Sequence, residues 1–424
     1  MLKGQFPVEK FASLRTPFYY YDLPLLRRTL DKIRECIEPY PQFHVHYAVK
    51  ANFNGKILQE ISRCGFGADC VSGGEIRAAL QNGFAPESIV YAGVGKSDEE
   101  ILLALDAGIA RFNVESAAEL EVINELALSR GVVAPVSLRV NPDIGAHTHA
   151  NITTGLAENK FGINYEQLPG VIELADSLPG VEYKGLHFHI GSQILEMDDF
   201  VALCNRINVL AEQILRQRRG RLVPAASSAA AVGYSSAVGA AGVSGSGVAS
   251  GVAGAAASVL GDINVGGGLG INYYHPNHLD VAEFSQYFET FARHLKLPEG
   301  TPVHFELGRS VVAPCGSLIS RVLYIKEGTT RRFAIIDASM TELIRPALYK
   351  AYHRVENISS YEPEEVYDVV GPVCESSDVF AKGVSIDKCH RGDFIAIRSA
   401  GAYGESMSSQ YNCRPLPACF FKED

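Results

Sequence analysis

Eight short runs of alternating apolar and polar residues recur along the first three quarters of the chain. This alternation is typical of β-strands, whose successive side chains point to opposite faces. The first four runs begin about twenty-two residues apart, and helical patterns such as GGEIRAALQNG and ESAAELEVINELALSRG lie between them. The runs are HVHYAVK (44–50), GFGADC (65–70), SIVYAG (88–93), ARFNVE (110–115), VSLRVN (136–141), GLHFHI (185–190), DINVGG (262–267) and PVHFEL (302–307).

A strand followed by a helix forms a βα unit, and eight such units predict an α/β fold, a TIM (β/α)8 barrel over residues 25–310. A doubly wound Rossmann sheet is the alternative. In a TIM barrel the carboxyl ends of the strands form the catalytic face. We therefore expect a single site at the positions where these strands end, namely Lys50, Asn141, His189, Gly266 and Glu306.

The pattern changes after about residue 310. The stretch RVLYIKEGTTRRFAIID predicts a hairpin around Gly328, and VYDVVGPVC and GDFIAIRSAGAY predict further strands without helices between them. We expect a second, antiparallel β domain over residues 311–424, completed by residues 1–24 with their strand-like FYYYD (18–22).

Two segments interrupt the βα rhythm. Residues 143–162, DIGAHTHANITTGLAENKFG, follow the fifth strand on the predicted catalytic face and are long for a βα loop, which indicates a lid or a binding loop. Residues 225–258 contain only Ala, Gly, Ser and Val apart from Tyr234, the composition of a flexible linker. We expect this low-complexity insert to lie on the opposite face of the barrel and to take no part in the chemistry.

Charge and composition exclude several classes of function. The net charge is −10 at pH 7 and no basic run occurs, which disfavours nucleic acid and anionic membranes as partners. The start of the sequence lacks the apolar core of a signal peptide, and no run is apolar enough for a membrane span, so we expect a cytoplasmic protein. The nine cysteines lack CxxC spacing, so neither disulfides nor a structural zinc are expected.

Lys50 ends the first run, on the strand face that also carries His46 and Ala48. A lone lysine in this place is more often a strand-end residue whose tip reaches water. The other polar residues expected on the same face favour a chemical role. Burial lowers the pKa of a lysine, so Lys50 would be a neutral nucleophile toward an aldehyde such as pyridoxal phosphate.

Three further motifs end strands on the same face. The glycine run NVGGGLG (264–270) and the stretch ELGRS (306–310) follow the seventh and eighth strands, where TIM barrels often bind phosphate. HFHIGSQ carries His187 and His189, but no third ligand at a suitable spacing supports a metal site. An imidazole that faces a flat cofactor ring, with Ser192 at its phosphate, is the better interpretation.

Several of these stretches, taken together, resemble the fold type III, alanine-racemase-like decarboxylases that use pyridoxal 5'-phosphate. The matching stretches are YAVKAN, HFHIGSQ, NVGGGLGI, ELGRS, CESSD and GAYG. HTHANITTGLAENKFGI (147–163) and RPALYKAYH (345–353) are similar to the diaminopimelate branch of that family. The resemblance covers nearly the whole chain except 225–258, and it departs at Leu307, where the group commonly has proline.

The resemblance implies a covalent link between Lys50 and the cofactor aldehyde, with Glu306 on the pyridine nitrogen. Catalytic roles fall to Lys50, His189 and Cys374, the thiol being the expected proton donor. Cofactor contacts are implied for Asp69, His189, Ser192, Gly268, Leu307, Gly308, Arg309 and Tyr403. Contacts to the far end of the substrate are implied for Arg309, Arg345, Tyr349, Glu375 and Tyr403, the arginines holding a carboxylate and Glu375 an ammonium group.

The implied reaction is the decarboxylation of meso-diaminopimelate to L-lysine, in a homodimer whose Cys374 and Glu375 reach the neighbouring subunit's cofactor. One alternative is a sister decarboxylase that acts on ornithine, arginine or carboxynorspermidine, substrates that give Arg345 no carboxylate to bind. Another is a non-catalytic regulator on the same fold. That alternative predicts the loss of Lys50 or Cys374, and both are present.

Overall fold

The computed structural model describes residues 6–143, 160–222, 259–276 and 281–423, and only the backbone of 219–222 and 281–282. Most of the predicted lid or binding loop at 143–162 lies outside the described residues, and so does the whole low-complexity insert at 225–258.

Strands and helices alternate through the first part of the described chain, and strands predominate after residue 316. The strands are β1 (Phe18–Asp22), β2 (Phe43–Ala48), β3 (Gly67–Cys70), β4 (Ile89–Tyr91), β5 (Arg111–Val114), β6 (Ala134–Asn141), β7 (Ile163–Asn164), β8 (Val181–His187), β9 (Asp262–Asn264), β10 (Val303–Leu307), β11 (Gly316–Glu327), β12 (Arg332–Ile336), β13 (Val355–Asn357), β14 (Glu364–Val370), β15 (Val379–Asp387), β16 (Phe394–Ile397) and β17 (Ala418–Lys422). The helices are α1 (Val8–Phe11), α2 (Leu23–Ile37), α3 (Gly55–Arg63), α4 (Gly73–Gln81), α5 (Asp98–Ala107), α6 (Ala117–Arg130), α7 (Leu168–Ser177), α8 (Met197–Leu222), α9 (Val281–His294), α10 (Arg309–Val312) and α11 (Arg345–Tyr349).

Eight parallel strands close into a barrel in the order β2, β3, β4, β5, β6, β8, β9, β10, with β10 paired back to β2. Every one of the eight alternating runs overlaps one of these strands, which confirms the predicted TIM barrel. The short strand β7 pairs with the end of β6 outside the closed ring. All eight strands run in one direction, so their carboxyl ends meet on one face.

Local sequence signals explain where the barrel helices begin and end. Ser97 and Glu100 form a reciprocal capping box at the start of α5, and Asp22 accepts the Leu25 amide at the start of α2. Helix α6 ends at Gly131 in the left-handed conformation. Within the part of the chain that the structure describes, no helix is long and apolar enough to cross a membrane.

The second sheet is mixed and not purely antiparallel as predicted. Its strands run in the order β13, β16, β11, β12, β14, β15, and β1 lies between β11 and β17. The hairpin between β11 and β12 around Gly328 is confirmed. Two pairings are parallel, β1 with β17 and β12 with β14, because a long connection returns the chain to the same end of the sheet before each second strand begins. The domain limits at residues 25 and 310 stay a prediction.

Hydrogen bonds join the barrel to the second sheet directly behind Lys50. The Asn52 side-chain amide donates to the Tyr21 hydroxyl and to the Gly401 carbonyl, both at 2.9 Å. The Tyr403 amide donates to the Ala51 carbonyl at 2.8 Å. The segment that follows β2 is therefore fixed by residues from both ends of the chain.

We predict that Gly67→Ala destabilises the barrel, because a Cβ at Gly67 would lie 2.3 Å from His46 Nδ1 and 2.4 Å from the Ser88 carbonyl oxygen. The Ser88 carbonyl belongs to the backbone and cannot move aside, so we expect the free energy of unfolding to fall by about 1–3 kcal/mol. The measurement is the midpoint of thermal and urea unfolding, which should be lower in the variant. Gly170→Ala in α7 is the matched control, since nothing lies within 4 Å of its Cβ position. Equal unfolding midpoints for the two variants would contradict this account of the packing.

Candidate active site

A buried carboxylate, Glu306, lies near the carboxyl end of β10 inside the barrel. Its Oε1 accepts hydrogen bonds from Asn264 Nδ2 at 2.8 Å and from Asn113 Nδ2 at 3.3 Å, and its Oε2 lies 3.0 Å from His187 Nε2. Burial alone would raise the pKa of Glu306, but His187 and the charge of Lys50 outweigh it and hold the pKa well below its usual range. Glu306 is therefore an ionised carboxylate at the centre of the barrel.

Lys50 lies in a short 3-10 turn, Val49–Ala51, directly after β2, and not in the strand itself as predicted. Its Nζ donates to Asp69 Oδ2 at 2.8 Å. The expected depressed pKa is wrong. Burial lowers the pKa of Lys50, but the charges of Asp69 and Glu306 outweigh burial and raise it above its usual value.

Asp69 lies at the end of β3 and is fully buried. One carboxylate oxygen accepts the Lys50 hydrogen bond, and the other, Oδ1, has no hydrogen-bond partner among the residues that the structure describes. A buried acceptor of this kind costs free energy unless another group satisfies it. Asp69 Oδ1 can therefore accept a hydrogen bond from a further group beside the Lys50 amine.

His189 and the glycine run meet next to Glu306, as the sequence predicts. The Gly267 amide donates to His189 Nδ1 at 3.2 Å, so the imidazole proton is on Nε2. Burial, with the nearby Arg139 and Lys50 charges, lowers the pKa of His189 to about 3, so the ring is neutral. A Cβ at Gly267 would lie 1.8 Å from the Glu306 carbonyl oxygen, so only glycine fits here.

Ser192, Gly268 and Arg309 also come together. The Arg309 guanidinium donates to Ser192 Oγ at 2.9 Å. The Gly268 carbonyl accepts the amide of Ile194, two residues after Ser192, at 2.9 Å. Gly268 has a φ of 110°, a conformation that favours glycine. The Ser192 hydroxyl and the backbone at Gly268 form a small cradle of the type that binds phosphate, and the Arg309 guanidinium lies at its edge.

Leu307 and Gly308 directly precede Arg309 in the chain. The Leu307 side chain packs in the hydrophobic core, so only its backbone could contact a ligand. A Cβ at Gly308 would lie 3.1 Å from the Cβ atoms of both Ala48 and Ala51, which brings the start of α10 close to the Lys50 turn. Because Gly308 has no side chain, the carboxyl ends of β10 and β2 can lie side by side.

Two buried arginines border the same cluster. Arg309 lies over the ring of Tyr403 at 4.8 Å and donates to the Tyr273 hydroxyl at 2.8 Å. The Arg345 guanidinium lies 5.0 Å from the centre of the Tyr273 ring. Tyr349, at the end of α11, is half-buried. The predicted group Arg309, Arg345 and Tyr403 is thus assembled within one chain.

Cys374 and Glu375 are not brought into this cluster. Both are exposed and lie in the second sheet domain. The Cys374 amide donates to Asn412 Oδ1 at 3.2 Å, and Glu375 Oε1 accepts the Tyr411 hydroxyl at 2.8 Å. Their predicted roles therefore require a contact that a single chain does not supply.

Sequence reasoning missed four groups that the structure places in the site. Asn113 and Asn264 bind Glu306, and the buried Arg139 pairs with Glu115 at 2.6 Å. Asn113, Arg139 and Asn264 lie in the predicted strands, at positions that alternate with apolar residues, and this signal could have identified them. Tyr273 follows the glycine run in irregular chain, and no pattern marks it.

The donor set fits pyridoxal phosphate. An aldehyde needs an amine, which Lys50 supplies, and a protonated ring nitrogen needs an ionised partner, which Glu306 supplies. The Ser192 hydroxyl and the backbone at Gly268, Gly308 and Arg309 form the anion cradle for a phosphate, and the unpaired Asp69 Oδ1 is an acceptor for a further polar group. Each polar group of the cofactor thus has a matching residue in the described part of the site.

Comparison with known proteins agrees with this geometry. Residues 26–218 match the family described as pyridoxal-dependent decarboxylase, pyridoxal binding domain. The chain is 54% identical over 423 residues to the diaminopimelate decarboxylase of Bacteroides thetaiotaomicron, covering 100% of both chains. It is 37% identical over 409 residues to that of Zymomonas mobilis, covering 96% of this chain and 87% of the other. The crystal structure of the Helicobacter pylori enzyme complexed with L-lysine superposes with a TM-score of 0.83 at 35% identity, covering 98% of this chain and 94% of the other.

We predict that Asp69→Asn lowers the pKa of Lys50, because the substitution removes the adjacent carboxylate charge and leaves burial in force. In cofactor-free protein at pH 8 to 9, an amine-selective reagent should then modify Lys50 faster, roughly ten-fold for each unit of pKa lost. Peptide mass spectrometry measures the rate. Lys56, which pairs instead with Glu423, is the internal control. A Lys50 rate that is unchanged or slower in the variant would disprove the role given to Asp69.

Proposed function

The chain belongs to the diaminopimelate decarboxylase family, and on this premise we propose that it converts meso-2,6-diaminopimelate into L-lysine and carbon dioxide, the last step of lysine biosynthesis. It is a pyridoxal-phosphate-dependent carboxy-lyase. One observation carries the proposal. The same end of the barrel holds the Lys50–Asp69–Glu306 cluster and the two buried arginines, Arg309 and Arg345.

Pyridoxal phosphate, when bound, supplies an aldehyde that links to amines and a protonated ring that withdraws electrons from the bond being broken. The protein's own groups prepare this chemistry. Lys50 provides the amine, and Asp69 holds it in place. Glu306 is ionised, so it would keep a proton on a pyridine nitrogen placed beside it. Ser192, Gly268 and the backbone at Gly308 and Arg309 would hold the phosphate, with Tyr403 beside them and the neutral His189 against the ring.

Arg309 and Arg345 distinguish this substrate from those of sister decarboxylases. Ornithine, arginine and carboxynorspermidine lack the second amino-acid end of diaminopimelate, so a buried pair of guanidinium groups would have no carboxylate to bind. Burying two cations without a counter-ion is costly, which favours a dicarboxylic substrate. Tyr349 and Tyr403 border the same space and would complete the binding site for the second carboxylate.

We predict that Arg345→Ala loses activity toward diaminopimelate and gains none toward ornithine or arginine. This result would distinguish the proposed substrate from those of the sister decarboxylases.

The exposed Cys374 and Glu375 support a homodimer with shared active sites. Both belong to a loop fixed by Asp378, whose carboxylate accepts the amides of Met340 at 2.7 Å and Val373 at 2.9 Å. A rigid loop that presents a thiol and a carboxylate to solvent suits a role in the site of a second copy. Cys374 would return a proton to the carbon that loses carbon dioxide, and Glu375 would bind the distal ammonium group.

The nine free cysteines support the cytoplasmic location that the sequence predicts.

The direct test is incubation of the protein with meso-diaminopimelate and pyridoxal phosphate. L-lysine and carbon dioxide should form in equal amounts, measured by amino-acid analysis and by a coupled carbon dioxide assay. Lys50→Ala should abolish both the product and the visible absorbance of the bound cofactor, because Lys50 supplies the amine that Asp69 holds in the described part of the site. Product formation at the wild-type rate by Lys50→Ala would rule out the proposed role of this lysine, and inactive wild-type protein would rule out the function.

A mixing experiment tests the shared site. Cys374→Ala should slow turnover but keep the cofactor absorbance. If each site combines Lys50 of one subunit with Cys374 of the other, inactive Lys50→Ala mixed with Cys374→Ala should recover about one quarter of wild-type activity, because half of the dimers are hybrids with one intact site each. Each variant taken alone through the same dissociation and reassociation is the control. An absence of recovery despite hybrid dimers seen by native mass spectrometry would show that the sites are not shared.

A further inference from the structure

Arg309 and Arg345 are both buried and have no carboxylate partner. They are 7% and 4% exposed, and neither takes part in any ion pair among the residues that the structure describes. The Nε atom of each guanidinium also lacks a hydrogen-bond partner there. Two adjacent cations repel each other, and the neighbouring Arg309, together with burial, lowers the pKa of Arg345. Some other group must therefore hold the pair together.

Tyr273 is the residue that both guanidinium groups contact. Its hydroxyl accepts the Arg309 hydrogen bond at 2.8 Å, while the Arg345 guanidinium lies 5.0 Å from its ring centre, in the range of a cation–π contact. Burial would raise the pKa of Tyr273, but the two positive charges outweigh it and lower the pKa. Tyr273 is therefore a common neighbour of two cations that have no carboxylate partner among the described residues.

His353 supports Arg345 from the other side. Its Nδ1 donates to the Arg398 carbonyl at 2.8 Å, which leaves Nε2 as the acceptor for Arg345 NH1 at 2.7 Å. Burial and the Arg345 charge lower the pKa of His353 to about 3, so the ring accepts this bond as a neutral group. The rings of His353 and Tyr273 also contact edge to face, with centroids 5.1 Å apart. The four side chains form one connected unit.

We propose that Tyr273, with His353 behind Arg345, is a specificity-determining positioning residue that holds Arg309 and Arg345 in the arrangement that binds the second carboxylate of the substrate. This inference rests on the proposed function and assigns a role to a residue outside the Lys50–Asp69–Glu306 cluster. Tyr273 keeps the two guanidinium groups adjacent without neutralising their charge. Both groups can therefore still bind a carboxylate of the substrate. A carboxylate residue in its place would neutralise the pair and compete with the substrate.

The test compares two small molecules in wild-type holoenzyme and in Tyr273→Phe. L-lysine carries a carboxylate at the end that faces the arginines, and cadaverine is the same molecule without it. We expect Tyr273→Phe to raise the Kd of L-lysine and the KM of meso-diaminopimelate roughly ten-fold, the effect of one hydrogen bond to a charged group. The Kd of cadaverine should not change, and kcat should remain within about two-fold of wild type, since the positioning role concerns binding.

The neighbouring Tyr274→Phe is the matched control, because Tyr274 is 64% exposed and stacks on Tyr352. It should leave both dissociation constants unchanged. Equal weakening of L-lysine and cadaverine by Tyr273→Phe, or no weakening of either, overturns the proposal. If that variant does not fold, His353→Leu supplies the same comparison, since it removes the acceptor for Arg345 and leaves Tyr273 in place. Wild-type protein that binds L-lysine more tightly than cadaverine but does not decarboxylate diaminopimelate would contradict the proposed function, whereas the Tyr273→Phe comparison of the two dissociation constants decides the positioning role separately.

Discussion

The ionised carboxylate of Glu306 inside the barrel is the constraint on which the rest of the site depends. A buried anion is stable only when its oxygens are hydrogen-bonded and positive charge lies close. Here two asparagines and His187 satisfy both oxygens, and each comes from a different strand. The barrel interior at this level is consequently polar, where most TIM barrels are filled by branched apolar side chains. Glu306 thus constrains the residues that β5, β8 and β9 can carry at this level.

Lys50 balances this negative charge, and its position is set by two domains. The turn that carries it follows β2, but the bonds that fix the turn come from Tyr403 and, through Asn52, from Tyr21 and Gly401. Because two carboxylates lie near Lys50, it is a stable cation in this arrangement. Its reactivity as an amine must therefore come from a change in those charges, and not from burial alone.

The features that were predicted correctly from the sequence are those that depend on periodicity and strand order. Eight alternating runs gave the barrel, and the rule that strand ends form one face placed Lys50, His189 and Glu306 together. What could not be predicted depends on contacts between distant segments. The parallel pairing of β1 with β17 joins the two ends of the chain, and Tyr273 acquires its partners from α10 and α11. The sign of the Lys50 pKa shift was wrong because burial is visible in a sequence pattern, whereas the placement of Asp69 beside the amine is not.

The site is divided into two regions of opposite excess charge. Around Lys50 lie the carboxylates of Asp69 and Glu306, while Arg309 and Arg345 have no carboxylate counter-ion in the described residues. Such an arrangement favours a ligand that brings a positively charged group to the first region and a carboxylate to the second. This separation of charge selects for a ligand with charged groups at two places, but it cannot distinguish two ends that carry the same ammonium and carboxylate groups. The choice between the ends of such a molecule must therefore come from the shape of the site and from the opposite handedness of the two carbon atoms.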